Sequence, residues 1–194
     1  LPEPAGRRNV PAEAGEDAMR FLVRILIGLV VLAVLFAAAG FLLPREVSIS
    51  RSVKIEATPD KVFPHVNNLK SFTAWSPWQA MDPAMAQTFD GPEEGVGAKM
   101  TWASKVVGDG TQEIVASTLN ERVENSLTFS GMSPSTAVFS LEEAGGATMV
   151  YWDLKSDMGM NPVARWVGFL MMDGWVGGDF EKGLASLKAK VEGG

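Results

Sequence analysis

The run Ile25–Leu43, ILIGLVVLAVLFAAAGFLL, constrains this chain more than any other stretch. It carries no charge and no strong helix breaker. Its about 19 residues make a helix of roughly 28 Å, which matches the hydrocarbon core of a bilayer. Arg20 and Arg24 stand just before it, and Pro44-Arg45-Glu46 ends it. Three readings fit such a run: a signal-anchor helix, a cleaved signal peptide, or a buried helix of a soluble protein. The run has no polar face, which argues against the third. Ala37-Ala38-Ala39 offers small residues for cleavage, but Phe41-Leu42-Leu43 follow directly and the run exceeds a usual signal-peptide core. The uncleaved anchor is the favoured reading, over residues 19–44. The arginines on its N-terminal side place the N-terminus inside and the rest of the chain in the periplasm or outside. Arg45, Arg51 and Lys54 on the far side weaken that charge bias without reversing it.

Residues 1–18, LPEPAGRRNVPAEAGEDA, are rich in Pro, Ala, Gly and charge and show no apolar period. They read as a disordered tail or as translated sequence upstream of a start at Met19.

About 150 residues remain after the run, enough for one domain with its own core. The 194-residue chain carries a net charge of −6, and the domain has no cluster of Lys and Arg, which argues against nucleic-acid binding. There is no cysteine, so disulfides, thiol nucleophiles and thiolate metal sites are excluded. One histidine, His65, leaves no multi-histidine metal site, and no cofactor is expected.

Val47–Ala57 alternates, with Val47, Ile49, Val53 and Ile55 on one side and Ser and charge on the other, as in a half-buried strand. Arg51 falls on the apolar side. Thr58-Pro59-Asp60 starts a helix to about Leu69, with Val62, Phe63, Val66 and Leu69 as its buried stripe. Pro64 should kink it or limit it to short turns. Lys70–Trp78 continues as a second short helix or turn. Strands follow at Met85–Phe89, Ala98–Lys105, Thr111–Val123, Ser126–Gly131, Ser135–Glu142 and Ala147–Asp157, with a hairpin signal at Gly145-Gly146. The alternation is least clean in Thr111–Val123. Asn161 and Pro162 open a last helix to about Val191, with a bend at Gly177-Gly178.

Strand, two short helices, six strands and a long helix imply an α+β domain. A curved antiparallel sheet of about seven strands would wrap on the C-terminal helix, preceded by one transmembrane helix. This is the helix-grip order, and the local sequence agrees. RSVKIEATPDKVFPHVNNLKSFTAWSPW, FDGPEEGVGAKMTW, GDGTQEIV and DFEKGLASLKAKV resemble the SRPBCC (START-related) superfamily, in particular its bacterial branch described as polyketide cyclase/dehydrase and lipid transport. The resemblance spans about Val47–Glu192. It implies an apolar ligand held between sheet and long helix; a minority of such proteins catalyse cyclisation or dehydration. It carries over no catalytic residues.

The candidate cavity wall is Met100, Trp102, Phe129, Phe139 and Trp152 from the sheet, with Val163, Trp166, Val167, Leu170, Met171 and Trp175 from the last helix. The same side chains could equally be packed core. Such cavities are mostly apolar with a few polar groups, and methionines suit an adaptable wall. Arg51 could bind a ligand carboxylate or phosphate, end at the sheet margin, or pair with Asp153 or Asp157. Trp75-Ser76-Pro77-Trp78 could form a lid, but more simply packs the short helices onto the sheet. Asp90–Gly97 reads as a hairpin connection rather than a phosphate loop, because a strand follows it. His65 reads as solvent-facing. No nucleophile-elbow motif is present.

The leading expectation is a membrane-anchored, non-enzymatic protein that binds a hydrophobic or lipid-like small molecule. A cyclase or dehydratase on the same fold is the alternative. A structural or sensory protein with a filled core is a third reading.

Overall fold

The computed structural model describes residues 13–130 and 134–193. Of the expected N-terminal tail, residues 1–12 lie outside the described residues. Glu13–Ala18 are helical and begin α1, Glu13–Leu42. The portion Ala18–Leu42 is long and apolar enough to cross a membrane, and only 6% of its most apolar stretch is buried within the protein. A core helix of a soluble protein would be mostly covered, so that reading falls away.

The domain runs β1 (Glu46–Ile55), three short helices α2 (Pro59–Asn67), α3 (Leu69–Thr73) and α4 (Pro77–Met81), and six further strands. These are β2 (Ala86–Asp90), β3 (Lys99–Ala103), β4 (Gly110–Thr118), β5 (Arg122–Phe129), β6 (Ser135–Ala144) and β7 (Ala147–Asp157). A C-terminal helical segment closes the chain: α5 (Pro162–Met172), a π-helical turn at Asp173–Gly177, and α6 (Gly178–Glu192). All strands pair antiparallel in one seven-stranded sheet of order β1-β7-β6-β5-β4-β3-β2. The helix-grip arrangement expected from the element order is the one observed.

Four local readings are corrected. The first helix ends at Asn67, not Leu69. Asn68 adopts an extended conformation and its Oδ1 accepts from Lys70 N at 2.9 Å and Ser71 N at 3.0 Å, so it caps a new helix. Thr111–Val123 is not one strand. Asn120 takes a left-handed φ of 60° and turns the chain between β4 and β5. A register shift between Ile114 and Ala116 adds the bulge that spoils the alternation. The strand expected at Ser126–Gly131 begins at Arg122, and Gly131 lies outside the described residues. The last helix is divided by the π turn rather than merely bent at its glycines.

That division decides the core. α6 lays Phe180, Leu184 and Leu187 on the sheet, where they meet Ile49, Phe139, Val150 and Trp152, with Val62, Val66, Leu69, Phe72 and Trp75 of the short helices alongside. Trp75 sits edge-on to both Phe139 and Trp152, with centroids 5.8 and 5.6 Å away. Gly183 is required here: a Cβ would lie 2.8 Å from the Trp152 ring and 3.0 Å from Pro77 Cδ.

Candidate functional site

The central sheet face is filled by this aromatic cluster, so the open volume lies beside it. A cavity of about 220 Å³ sits between β3–β5 and the short helices α3 and α4. Its walls are mainly apolar: Phe72, Trp78, Met81, Met85, Met100, Trp102, Val107, Leu127 and Phe129. Strand alternation places these residues. Met100 and Trp102 point inward from β3, and Gln112 and Leu127 do so from the paired strands β4 and β5.

Trp102 is fixed at one end of the cavity. Its Nε1 donates to Gly108 O at 2.9 Å, and its ring stands edge-on to Phe129 at 5.6 Å. Gly110 leaves room for that ring, since a Cβ there would collide with it. The loop carrying Gly108 is itself pinned: Ser104 Oγ donates to Asp82 Oδ2 at 2.6 Å and accepts from Val106 N and Val107 N. The wall between β3 and α4 is therefore preorganised.

Five polar residues reach the cavity: Thr73, Ser76, Gln87, Gln112 and Asp179. Gln87 Nε2 donates to Gln79 Oε1 at 2.8 Å. Thr73 Oγ1 donates to Leu69 O at 3.0 Å, with Gln87 Oε1 at 3.3 Å. Gln112 Nε2 donates to the buried Asn125 Oδ1 at 3.0 Å, and Asn125 Nδ2 has no partner among the described residues. Asp179 pairs with Lys182 at 3.1 Å. Among the lining residues there is one carboxylate and neither Lys nor Arg. Such a wall can offer hydrogen bonds to a neutral group and repels an anion.

The structure brings Met100, Trp102 and Phe129 together at this cavity. It does not bring the other proposed wall residues there. Phe139 and Trp152 are buried in the aromatic core, Trp152 stacked on Phe180. Val163, Val167, Leu170, Met171 and Trp175 are exposed on α5 and the π turn, and Trp166 stacks on Phe36 of α1. The reason is the π turn: it separates α5 from the helix that covers the sheet. Arg51 is also elsewhere. It ties β1 to the C-terminal segment, with Nε donating to Glu181 Oε1 at 2.8 Å and Nη1 3.1 Å from Asp173 Oδ1. Gly177 packs so closely over its guanidinium that a Cβ there would collide with it. Asp157, an expected partner for Arg51, instead accepts from Arg45. His65 is half-buried, with Nδ1 3.0 Å from Ser71 Oγ, and burial lowers its pKa. Trp75 packs the short helices as expected, and Trp78 also lines the cavity.

Sequence reasoning missed the five polar residues and, among the apolar ones, Phe72, Met81, Met85, Val107 and Leu127. Gln112 was visible as a polar residue on the inward side of its strand, two positions before the buried Ile114. Asp179 had no comparable signal.

The family described as "Polyketide cyclase / dehydrase and lipid transport" matches residues 46–192. The chain belongs to that family. No curated protein matches it in sequence. Solved structures share the fold of the family domain at low identity. A Thermobifida fusca protein superposes with a TM-score of 0.57 at 18% identity, over 74% of this chain and 92% of its own. Protein CV1439 from Chromobacterium violaceum gives 0.53 at 15%, over 75% and 97%. Ara h 8.0201 gives 0.54 at 13%, over 77% and 99%.

Proposed function

We propose that the protein is a membrane-anchored carrier or receptor for a small, uncharged, apolar molecule, bound in the cavity between β3–β5 and α3–α4. The observation that carries this reading is the cavity itself, walled by three methionines and four aromatic side chains around four neutral polar residues and one carboxylate. Family membership supports it, since the family's description includes lipid transport. At about 220 Å³ the space is larger than a benzene-sized void and smaller than the usual range for drug-sized ligands. It suits one or two fused rings or a short branched chain. Methionine walls adapt to such shapes at low cost.

The anchor part of the proposal rests on α1, whose apolar length and exposure suit a bilayer. Arg20 and Arg24, just before the uncharged run Ile25–Leu43, favour an N-inside orientation, with the domain outside the cytoplasm. An anchored domain works where apolar ligands concentrate.

Titration of the full chain in detergent micelles with a neutral, environment-sensitive apolar fluorophore tests the site. Saturable binding by the parent protein, lost in Leu127→Trp, supports it. Equal partition into both proteins and into empty micelles sinks it.

A further inference from the structure

The exposed face of α5 belongs to no part of the cavity. Val163, Val167, Leu170 and Met171 form an i, i+4, i+7, i+8 stripe, all exposed, and Phe169 and Trp175 extend the apolar surface. Such a contiguous apolar surface calls for an occupant. Between Met160 and Trp175 the only charged residues are Arg165 and Asp173, and both are engaged. Arg165 is buried, and Asp173 pairs with Arg51.

Three contacts join α5 to α1. The Trp166 ring stacks on Phe36, with centroids 4.9 Å apart and planes 10° from parallel, and its Nε1 donates to Phe36 O at 3.1 Å. Arg165 Nη1 donates to Phe41 O at 3.0 Å and Leu43 O at 3.4 Å, carbonyls at the C-terminal end of α1 that its own helix leaves unpaired. Gly40 lets Pro162 approach, since a Cβ there would lie 2.8 Å from Pro162 Cβ. Phe36 lies seven residues before the end of the apolar run, roughly 10 Å along the helix. A side chain stacked on it shares its depth.

We propose that α5 lies in the membrane boundary, with the stripe Val163, Val167, Leu170 and Met171 buried among lipid chains. The inference rests on α1 as the membrane span. Phe36 then sits inside the hydrocarbon edge, Trp166 beside it, and Arg165 reaches the level of the headgroups, where a guanidinium on a long stem is favoured. An apolar helix face lying in the boundary plane is a known mode of membrane attachment. It holds the domain against the bilayer rather than on a loose leash, because only Leu43, Pro44 and Arg45 separate α1 from β1.

The cysteine-free sequence permits a direct test. Single cysteines replace the exposed Leu170, Leu32 in the span, and Leu119 in the β4–β5 turn. Each full-length variant is labelled with a polarity-sensitive dye in phosphatidylcholine/phosphatidylglycerol vesicles. Leu119 lies at the end of the sheet opposite Glu46, so its label serves as the aqueous reference. The expected result is a Leu170→Cys label with blue-shifted emission, quenched by bromine on the lipid chains and shielded from iodide in the water. With a lipid-quenched Leu32→Cys label this supports the inference; without one it overturns the α1 span on which the inference rests. A Leu32→Cys label quenched by lipid, with a Leu170→Cys label quenched by iodide, overturns the α5 inference and leaves the anchor standing. A Leu170→Cys label shielded from both quenchers overturns it in favour of a protein partner on that face. Lipid quenching at neither position overturns both readings.

Discussion

Trp152 lies flat on Phe180, with ring centroids 3.9 Å apart and planes 6° from parallel. This contact joins β7, the strand next to the β1 edge of the sheet, to α6. It shows which part of the C-terminal segment grips the sheet: the part after the π turn. It also fills the space in which a larger cavity would otherwise open.

Phe180→Ala should therefore be among the most damaging core substitutions, at about 3–5 kcal/mol. Gly183→Ala, one turn on, should cost about 1–3 kcal/mol through overpacking, because its methyl group meets the Trp152 ring and Pro77. Denaturant unfolding of the full chain in micelles, followed by tryptophan fluorescence, measures both. A neutral Phe180→Ala would mean that α6 does not close the core.

The linker after α1 carries a pH-dependent clamp. Arg45 donates to Asp157 from Nε at 2.7 Å and Nη2 at 2.5 Å, and Gly159 N adds a third bond. The guanidinium first, and then the backbone N–H, hold the Asp157 pKa down from 3.8 to about 2. Because the folded-state value lies below the unfolded one, the clamp's contribution is fully present above the unfolded pKa and fades as pH falls toward 2. The melting temperature of the parent protein should drop more steeply between pH 4 and 2 than that of Asp157→Asn. Parallel curves would show that the clamp contributes nothing.

Arg51 separates the observed cavity from the one expected between sheet and last helix. Arg51→Met removes its pairs with Glu181 and Asp173, and leaves both carboxylates without the cation they share. A lower melting temperature with unchanged binding of a neutral apolar probe is expected. Loss of binding without loss of stability would return Arg51 to the ligand site.

The cavity's single carboxylate should select against acids. A neutral apolar probe should bind better than its carboxylic-acid analogue at pH 7, and Asp179→Asn should narrow the difference. Competition titrations of both ligands against both proteins decide this. A preference for the acid in the parent protein contradicts the polar assignment of the wall.

The fold was legible because its signals were local and periodic. Val47–Ile55 and Ala147–Asp157 alternate cleanly, Gly145-Gly146 marks their neighbouring hairpin, and Pro59 and Pro162 sit at helix starts. Asn120 was hidden because a bulge at Val115 had already broken the strand period on which a turn would stand out. The site was legible only in part. Alternation placed Met100 and Trp102 on the inner face. Nothing local distinguished Val163–Trp175 from a sheet-covering helix, since both show an apolar stripe. The π turn that assigns this stripe to another surface is held by Arg51, more than a hundred residues away, and Gly177. Long-range ion pairs of this kind leave no period in the sequence.

The most direct test is native mass spectrometry of the full chain, purified from cells in mild detergent, with extraction and identification of what co-purifies. A stoichiometric, uncharged, apolar adduct of small mass, absent from Leu127→Trp, is the expected result. A parent protein that emerges free of any adduct and leaves neutral apolar probes unbound contradicts the binding function.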